Sequence, residues 1–377
     1  MALTAGGAAS DDDVLVRVEN VVKHFPVKAG GFVSHTVGQV HAVDDVSLVI
    51  ERGKTLGLVG ETGSGKSTLA RCVAGLIPVT KGRVIINGTD ITRLSRGAMR
   101  PLRREVQMIF QDPYSSLNPR RRVGSIIGDP FAIHGTATGA ERKRKVQELM
   151  ERVGLNPEHY NRFPAEFSGG QRQRIGVARA LALRPKLIIC DEPVSALDVS
   201  IQAQVLNLLS DLQHEYGLSY LFIAHDLEVV RHVSDKVAVM YLGRIGEAAP
   251  ADALYDSPRH PYTVALLSAA PAADPDTAVS RQRVILIGDV PSPIDPPSGC
   301  RFHPRCPKAQ EICSKVEPPL VPDDSETQAE EDAGTLASAV PGGWAHVTAC
   351  HFPVLPGETL ASAGAVANAA AVKGELS

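Results

Sequence analysis

Nine consecutive residues, Gly60-Glu61-Thr62-Gly63-Ser64-Gly65-Lys66-Ser67-Thr68, have the types and spacing that grip phosphate. Their glycines let the backbone turn tightly, so that N–H groups and a helix N-terminus converge on phosphate oxygens. Lys66 is placed to reach the β- and γ-phosphates, and Ser67 to put its hydroxyl on Mg²⁺. The apolar run Thr55–Val59 leads in as a buried strand, and Leu69–Leu76 leads out as a helix. Strand, GxxxxGK[ST] spacing and helix together make a P-loop and set it apart from an ordinary Gly/Ser-rich turn. The chain is expected to bind a nucleoside triphosphate.

Other polar residues stand where apolar runs end. Leu187-Ile188-Ile189-Cys190 reads as a strand buried on both faces and delivers Asp191 and Glu192. Asp191 suits a Walker B aspartate holding Mg²⁺ through water. Glu192, across the pleat, can orient and deprotonate a water. A carboxylate at a strand end is otherwise a solvated surface group; behind a P-loop, catalysis is the stronger reading. Gln111 follows the strand Gln107–Phe110 and can touch Mg²⁺ and the attacking water, although in isolation it reads as a turn residue. His225 closes the strand Tyr220–Ala224, the third polar group at a sheet edge of the kind where α/β proteins bind ligands. Ser168-Gly169-Gly170-Gln171 opens a helix through Ala182, a second nest of donors with Ser168 as N-cap. One P-loop already supplies a complete cradle, so this second anion-binding start implies a nucleotide met across an interface. Phe25 suits stacking on a base and core packing equally.

These residues need an α/β scaffold. Val14, Val16 and Val18 alternate as in a half-buried strand, and Val46–Ile50 repeats the pattern before the turn Glu51–Lys54. An antiparallel sheet is therefore expected beside the P-loop core. Residues from about 115 to 175 read as a helical insertion, basic and punctuated by Gly and Pro, with the charge run Glu141–Met150 a solvated face. Residues 1–13 and 356–377 have the small, polar or Ala-rich composition of disordered ends. With 39 Lys plus Arg against 42 Asp plus Glu, the net charge of −3 excludes the strong basic field of a nucleic-acid binder. No apolar run approaches the roughly 18 residues that span a bilayer, and no signal-peptide core opens the chain, so it is expected in the cytosol.

In order and rough spacing, the P-loop, Gln111, Ser168–Gln171, Asp191-Glu192, Ser195–Asp198 and His225 resemble the ATPase of ABC transporters. There they are the Walker A, Q-loop, signature, Walker B, D-loop and H-loop. Phe167 departs from the leucine that usually begins the signature. Phe110–Pro113, Ser116–Arg120, Cys190–Asp198, His260–Thr263 and Pro291–Pro293 through Cys300–Pro307 look like the subunits of oligopeptide and dipeptide importers. The resemblance implies a cassette at 14–256 with an antiparallel β subdomain and a helical subdomain, then a small Cys-containing extension at 257–355. It implies catalysis by Glu192, His225 and Gln111. ATP would be bound through Phe25, Gly60–Thr68, Ser168–Gln171 and Asp198, and Mg²⁺ through Ser67, Gln111 and Asp191. The implied partners are a second cassette, identical or homologous, two transmembrane permeases and an extracytoplasmic peptide-binding protein, with no nucleic acid. The protein would then lie on the cytoplasmic side of the cell membrane. An importer of nickel or another small solute, and a soluble non-transport ABC ATPase, are the alternatives. About 125 residues separate Lys66 from Asp191 without sustained heptads, which disfavours a chromosome-maintenance ATPase.

Of six cysteines, Cys72 and Cys190 fall in apolar elements and read as packing. Cys300, Cys306 and Cys313 follow C-x5-C-x6-C spacing, with Cys350 after 36 more residues, and the first three lie in a Pro-rich segment. In a reducing compartment, four such thiols point to metal rather than disulfides. They suit tetrahedral Zn²⁺ or a [4Fe–4S] cluster, or four free thiols in a packed lobe. Zinc sites favour C-x₂₋₄-C pairs, absent here, and the resembling importer subunits include members with a [4Fe–4S] cluster in this extension. The cluster is thus expected ahead of zinc, in a structural or redox-sensing role with no part in hydrolysis.

Overall fold

The computed structural model describes residues 11–29, 35–112, 116–269, 284–322 and 346–360. The alternating valines form β1 (Val14–Ala29), which pairs antiparallel with β2 (His35–Glu51). After β2 come β3 (Thr55–Val59), α1 (Lys66–Val73), β4 (Lys81–Ile86), β5 (Thr89–Asp90), α2 (Met99–Glu105) and β6 (Val106–Ile109). The helices α3 (Val123–His134), α4 (Gly139–Arg152) and α5 (Gly169–Leu181) follow. The core is completed by β7 (Leu187–Asp191), α6 (Val199–Tyr216), β8 (Ser219–Ala224), α7 (Leu227–Val233), β9 (Lys236–Tyr241) and β10 (Arg244–Pro250). Beyond it stand α8 (Ala251–Asp256), α9 (Pro261–Ala269), α10 (Glu311–Lys315), β11 (Val321–Pro322) and β12 (Val347–Thr348).

Two sheets result. The antiparallel one has the order β2-β1-β4-β5, and the other β11-β12-β10-β9-β3-β8-β7-β6, parallel from β9 through β6. The unbroken apolar runs are explained by burial on both faces. Leu187 and Ile189 of β7 face one core, shared with β1, β2 and α1. Ile188 and Cys190 face the other, shared with α3, α4 and α5. Val146 and Met150 bury one face of α4, while its charged residues pair in the i,i+4 bridges Lys145–Glu141 and Arg144–Glu148. Phe167 is buried in this helical core, edge-on to His159 at 5.9 Å, so an aromatic serves where the usual pattern has leucine.

The chain beyond the core differs from a lobe hung on the end. β12 pairs with β10 through Glu247↔Thr348 and Ala248↔Val347, and so extends the central sheet. Apolar alternation over two residues is too short to signal such a strand. The expected disordered ends fall mostly outside the described residues. Where they overlap, Asp11–Asp13 form one 3-10 turn, and Leu360 is buried. Pro113 of the Phe110–Pro113 stretch also lies outside them.

Candidate active site

Every residue of β3 is buried, and the P-loop leaves its carboxyl end. Gly65 begins α1 at φ 106°, and a Cβ there would lie 2.0 Å from the Ala42 carbonyl oxygen, so only glycine fits. Lys66 Nζ donates to the carbonyls of Gly60 at 2.7 Å and Glu61 at 2.9 Å, and to Ser64 Oγ at 3.3 Å. Burial lowers the Lys66 pKa, against the pull of the Glu192, Asp191 and Glu61 carboxylates. Ser67 Oγ donates to Asp191 Oδ1 at 2.7 Å. Burial raises the Asp191 pKa despite that bond. A hydroxyl and a sheltered carboxylate side by side are the oxygen donors a hard divalent cation takes, so the pair fits Mg²⁺.

Three strand ends meet on one carboxylate. Glu192 stands at φ 47°, with its N–H donating to the Ile223 carbonyl at 3.0 Å. Its Oε2 accepts from Gln111 Nε2, at the end of β6, at 2.8 Å. His225 Nδ1, at the end of β8, lies 3.4 Å from the same oxygen. The Glu192 side chain is 14% exposed and that of His225 55%, so the carboxylate is sheltered while the imidazole opens outward.

The remaining predicted residues stay apart from this centre. Ser168 caps α5 by accepting from Gln171 N–H at 3.3 Å, and Gln171 Oε1 accepts from Ser168 N–H at 3.0 Å. This capping box occupies the Gln171 side chain locally. Asp198 is exposed at the start of α6, where its carbonyl accepts from Ile201 and Gln202 N–H. Among the described residues, the hydrogen bonds of Ser168, Gln171 and Asp198 all lie within their own turns. Phe25 sits on β1, partly exposed, with Lys23 Nζ 4.8 Å from its ring centroid. Gly170 has a packing reason, since its Cβ would meet Ile201 Cγ2 at 2.4 Å. Gly170→Ala is expected to push α6 from α5 and destabilise the fold by about 1–3 kcal/mol. Urea denaturation should show the loss, and Ile201→Ala in the same chain should recover part of it.

Contacts from the far end of the chain were not legible in sequence. The Arg305 guanidinium forks the Glu61 carboxylate at 2.8 and 3.2 Å, and Glu61 N–H donates to the Tyr262 hydroxyl at 2.8 Å. His260–Thr263 and Cys300–Pro307 stood out only as marks of the extension, and nothing local ties Arg305 to a residue 244 positions away.

Cys300, Cys306, Cys313 and Cys350 line one cavity, together with His260, Phe302, Lys308 and Phe352. Burial raises the Cys300 thiol pKa, Cys306 to about 12 and Cys350 to about 11. Neighbouring backbone N–H groups partly offset this and favour thiolate, those of Phe302 and His303 at Cys300, of Lys308 at Cys306 and of Phe352 at Cys350. Among the described residues the one trio of ligand atoms within 4.8 Å of one another is His24, His41 and Asp44, so no three of these sulfurs approach so closely. Four thiols around one cavity are a donor set that either a zinc ion or an iron–sulfur cluster takes.

Residues 43–195 match the family model described as ABC transporter, and 247–313 the one described as oligopeptide/dipeptide transporter, C-terminal region. The oligopeptide transport ATP-binding protein AppF of Bacillus subtilis is 53% identical over 82% of this chain and 94% of its own. The di/tripeptide transport ATP-binding protein DppF of Pseudomonas aeruginosa is 50% identical over 82% and 94%. The dimeric post-hydrolysis structure of the ATP-binding cassette MJ0796, bound to ADP and Pi, superposes with TM-score 0.56 at 28% identity over 63% of this chain and 99% of that one. Six motifs on a P-loop sheet, a C-terminal region of the transporter type and relatives at half identity lead to one assignment: the chain belongs to the ABC-transporter ATP-binding proteins of the oligopeptide/dipeptide family.

Proposed function

We propose that the chain hydrolyses ATP to power uptake of di- or oligopeptides by a bacterial importer, from the cytoplasmic face of the membrane and through separate permease subunits. The observation that carries hydrolysis is the meeting of Gln111, Glu192 and His225 beside the Ser67–Asp191 pair. Glu192 takes the proton of the attacking water, the Gln111 amide holds the carboxylate in line, and His225 steadies it from the open side. Ser67 and Asp191, with Gln111 nearby, would hold Mg²⁺, which supplies neutralising charge at the β- and γ-phosphates. The exposed Ser168 at the start of α5, bonded among the described residues only within its own turn, supports two cassettes set head to tail, each signature serving the nucleotide on the other. No helix among the described residues is long and apolar enough to cross a membrane, which supports permeases on other chains. Peptide as cargo rests on the C-terminal region and on the named cargo of the relatives. The test is to isolate the complex from membranes, identify its subunits by mass spectrometry, and measure ATPase in proteoliposomes. Peptide-loaded binding protein should raise the rate; stimulation by a nickel chelate alone would overturn peptide as the cargo.

The four-cysteine cavity supports a [4Fe–4S] cluster, which would supply a rigid cross-link between the Cys300–Cys313 segment and Cys350. Anaerobic purification should yield iron and sulfide at about four each per chain, with visible absorption. Cys306→Ser should abolish both. Stoichiometric zinc without iron, or no metal, would overturn this part.

A further inference from the structure

Glu61, the second residue of the P-loop, is held at each of its polar groups. Its carbonyl accepts from Lys66 Nζ at 2.9 Å and Ser64 N–H at 3.1 Å, inside the loop. Its N–H and carboxylate are held from outside, by Tyr262 of α9 and by Arg305. The Arg305 side chain is 9% exposed, so this forked pair is sheltered from the screening that weakens surface bridges. Burial opposes the charged guanidinium, but the Glu61 carboxylate and Tyr241 hydroxyl more than offset it and raise the Arg305 pKa. A carboxylate inside an anion-binding loop opposes a triphosphate unless its charge is cancelled. Arg305 cancels it.

The two holding residues belong to the cysteine lobe. Arg305 immediately precedes Cys306, and Phe302 between Cys300 and Cys306 lines the thiol cavity. The rings of Tyr241, Tyr262 and Phe302 close a triangle with centroids 4.7, 5.3 and 5.3 Å apart. Buried Glu247 anchors the start of α9 by accepting from the N–H groups of Arg259 at 2.7 Å and His260 at 2.9 Å. A packed path thus runs from the four thiols to the phosphate loop. The lobe is distant from the P-loop in sequence, yet Arg305 and Tyr262 reach Glu61 directly.

We propose that Arg305 and Tyr262 are positioning residues of the ATP site and that the four-cysteine lobe sets ATP affinity through them. This rests on Gly60–Thr68 being that site. With the lobe ordered, Glu61 is neutralised and its N–H fixed; with the cysteine ring broken, Arg305 loses its seat and the loop binds ATP less tightly.

The test uses the full chain, with ATP affinity read by a fluorescent ATP analogue and folding by thermal unfolding, and the assembled transporter for kinetics. Arg305→Gln should weaken ATP about tenfold, as expected for a charged hydrogen-bonded pair, with Arg305→Lys between it and the parent. In the transporter KM should rise with kcat little changed. Adding Glu61→Gln should recover most of the loss, because no uncompensated charge then faces the phosphates. Tyr262→Phe, which removes one hydroxyl, should weaken ATP by a smaller factor. Cys306→Ser should weaken ATP in the parent and have no further effect in Arg305→Gln. Unchanged affinity in Arg305→Gln, or Cys306→Ser and Arg305→Gln losses that simply multiply, would overturn the inference. Failure of the parent chain to bind ATP would instead overturn the reading of the loop itself.

Discussion

Glu192→Gln is expected to leave ATP binding intact and slow hydrolysis by about 10²–10⁴-fold, the range spanned by loss of a general base. The amide keeps the shape of the carboxylate and a donor or acceptor for Gln111 and His225, but it cannot take a proton. Asp191 cannot stand in, since Ser67 occupies its Oδ1 and the cation would take the rest. The sheltered position, 14% exposed, also means that bulk water offers no substitute base at that point. ATP should then hold two cassettes closed, visible as a nucleotide-dependent dimer by size-exclusion chromatography. Single-turnover hydrolysis in the assembled transporter is the measurement, and a rate near that of the parent would remove Glu192 from the role.

Ser168→Arg should leave nucleotide affinity in an isolated chain nearly unchanged and reduce hydrolysis in the transporter by on the order of 10²–10³-fold. That is the usual loss when a donor to developing phosphate charge is removed. The reasoning is geometric. Ser168 and Gln171 satisfy each other, the helix start is open, and no bond joins them to their own P-loop among the described residues. Lys66→Ala provides the contrast. It removes the buried ammonium of the same chain's cradle, so affinity should fall by about tenfold to a hundredfold in the monomer itself. If Ser168→Arg abolished binding in a monomer, the signature would serve its own nucleotide and the head-to-tail arrangement would be wrong.

Some features were legible because they are local. A P-loop is a backbone requirement: Gly65 sits where a Cβ would strike the Ala42 carbonyl, and that need is written in a single residue type. The strand ends were legible for a similar reason, since doubly buried strands must be apolar and any polar residue closing them stands out. Asp191, Glu192 and His225 could therefore be named one by one, and the capping-box spacing of Ser168 and Gln171 announced a helix start.

What only the tertiary structure decided is which of these distant residues meet, and at what distance. Glu192 at φ 47° is in a backbone state that its residue type does not advertise, and it turns the carboxylate between Gln111 and His225. Four cysteines in a reducing compartment suggested metal, but their spacing along the chain matched no known pattern. It took the folded lobe to show the four sulfurs around one cavity. Arg305 is a residue type at home on any surface, and Glu61 reads as one more polar member of its loop. Their pairing exists because the extension packs back over the P-loop side of the sheet, where neighbouring Arg301 is held by Asp44 and the Leu242 carbonyl. Local rules of backbone and burial act within a few residues and so can be read along the chain. Long-range pairing depends on how whole elements pack, and no single residue carries that information.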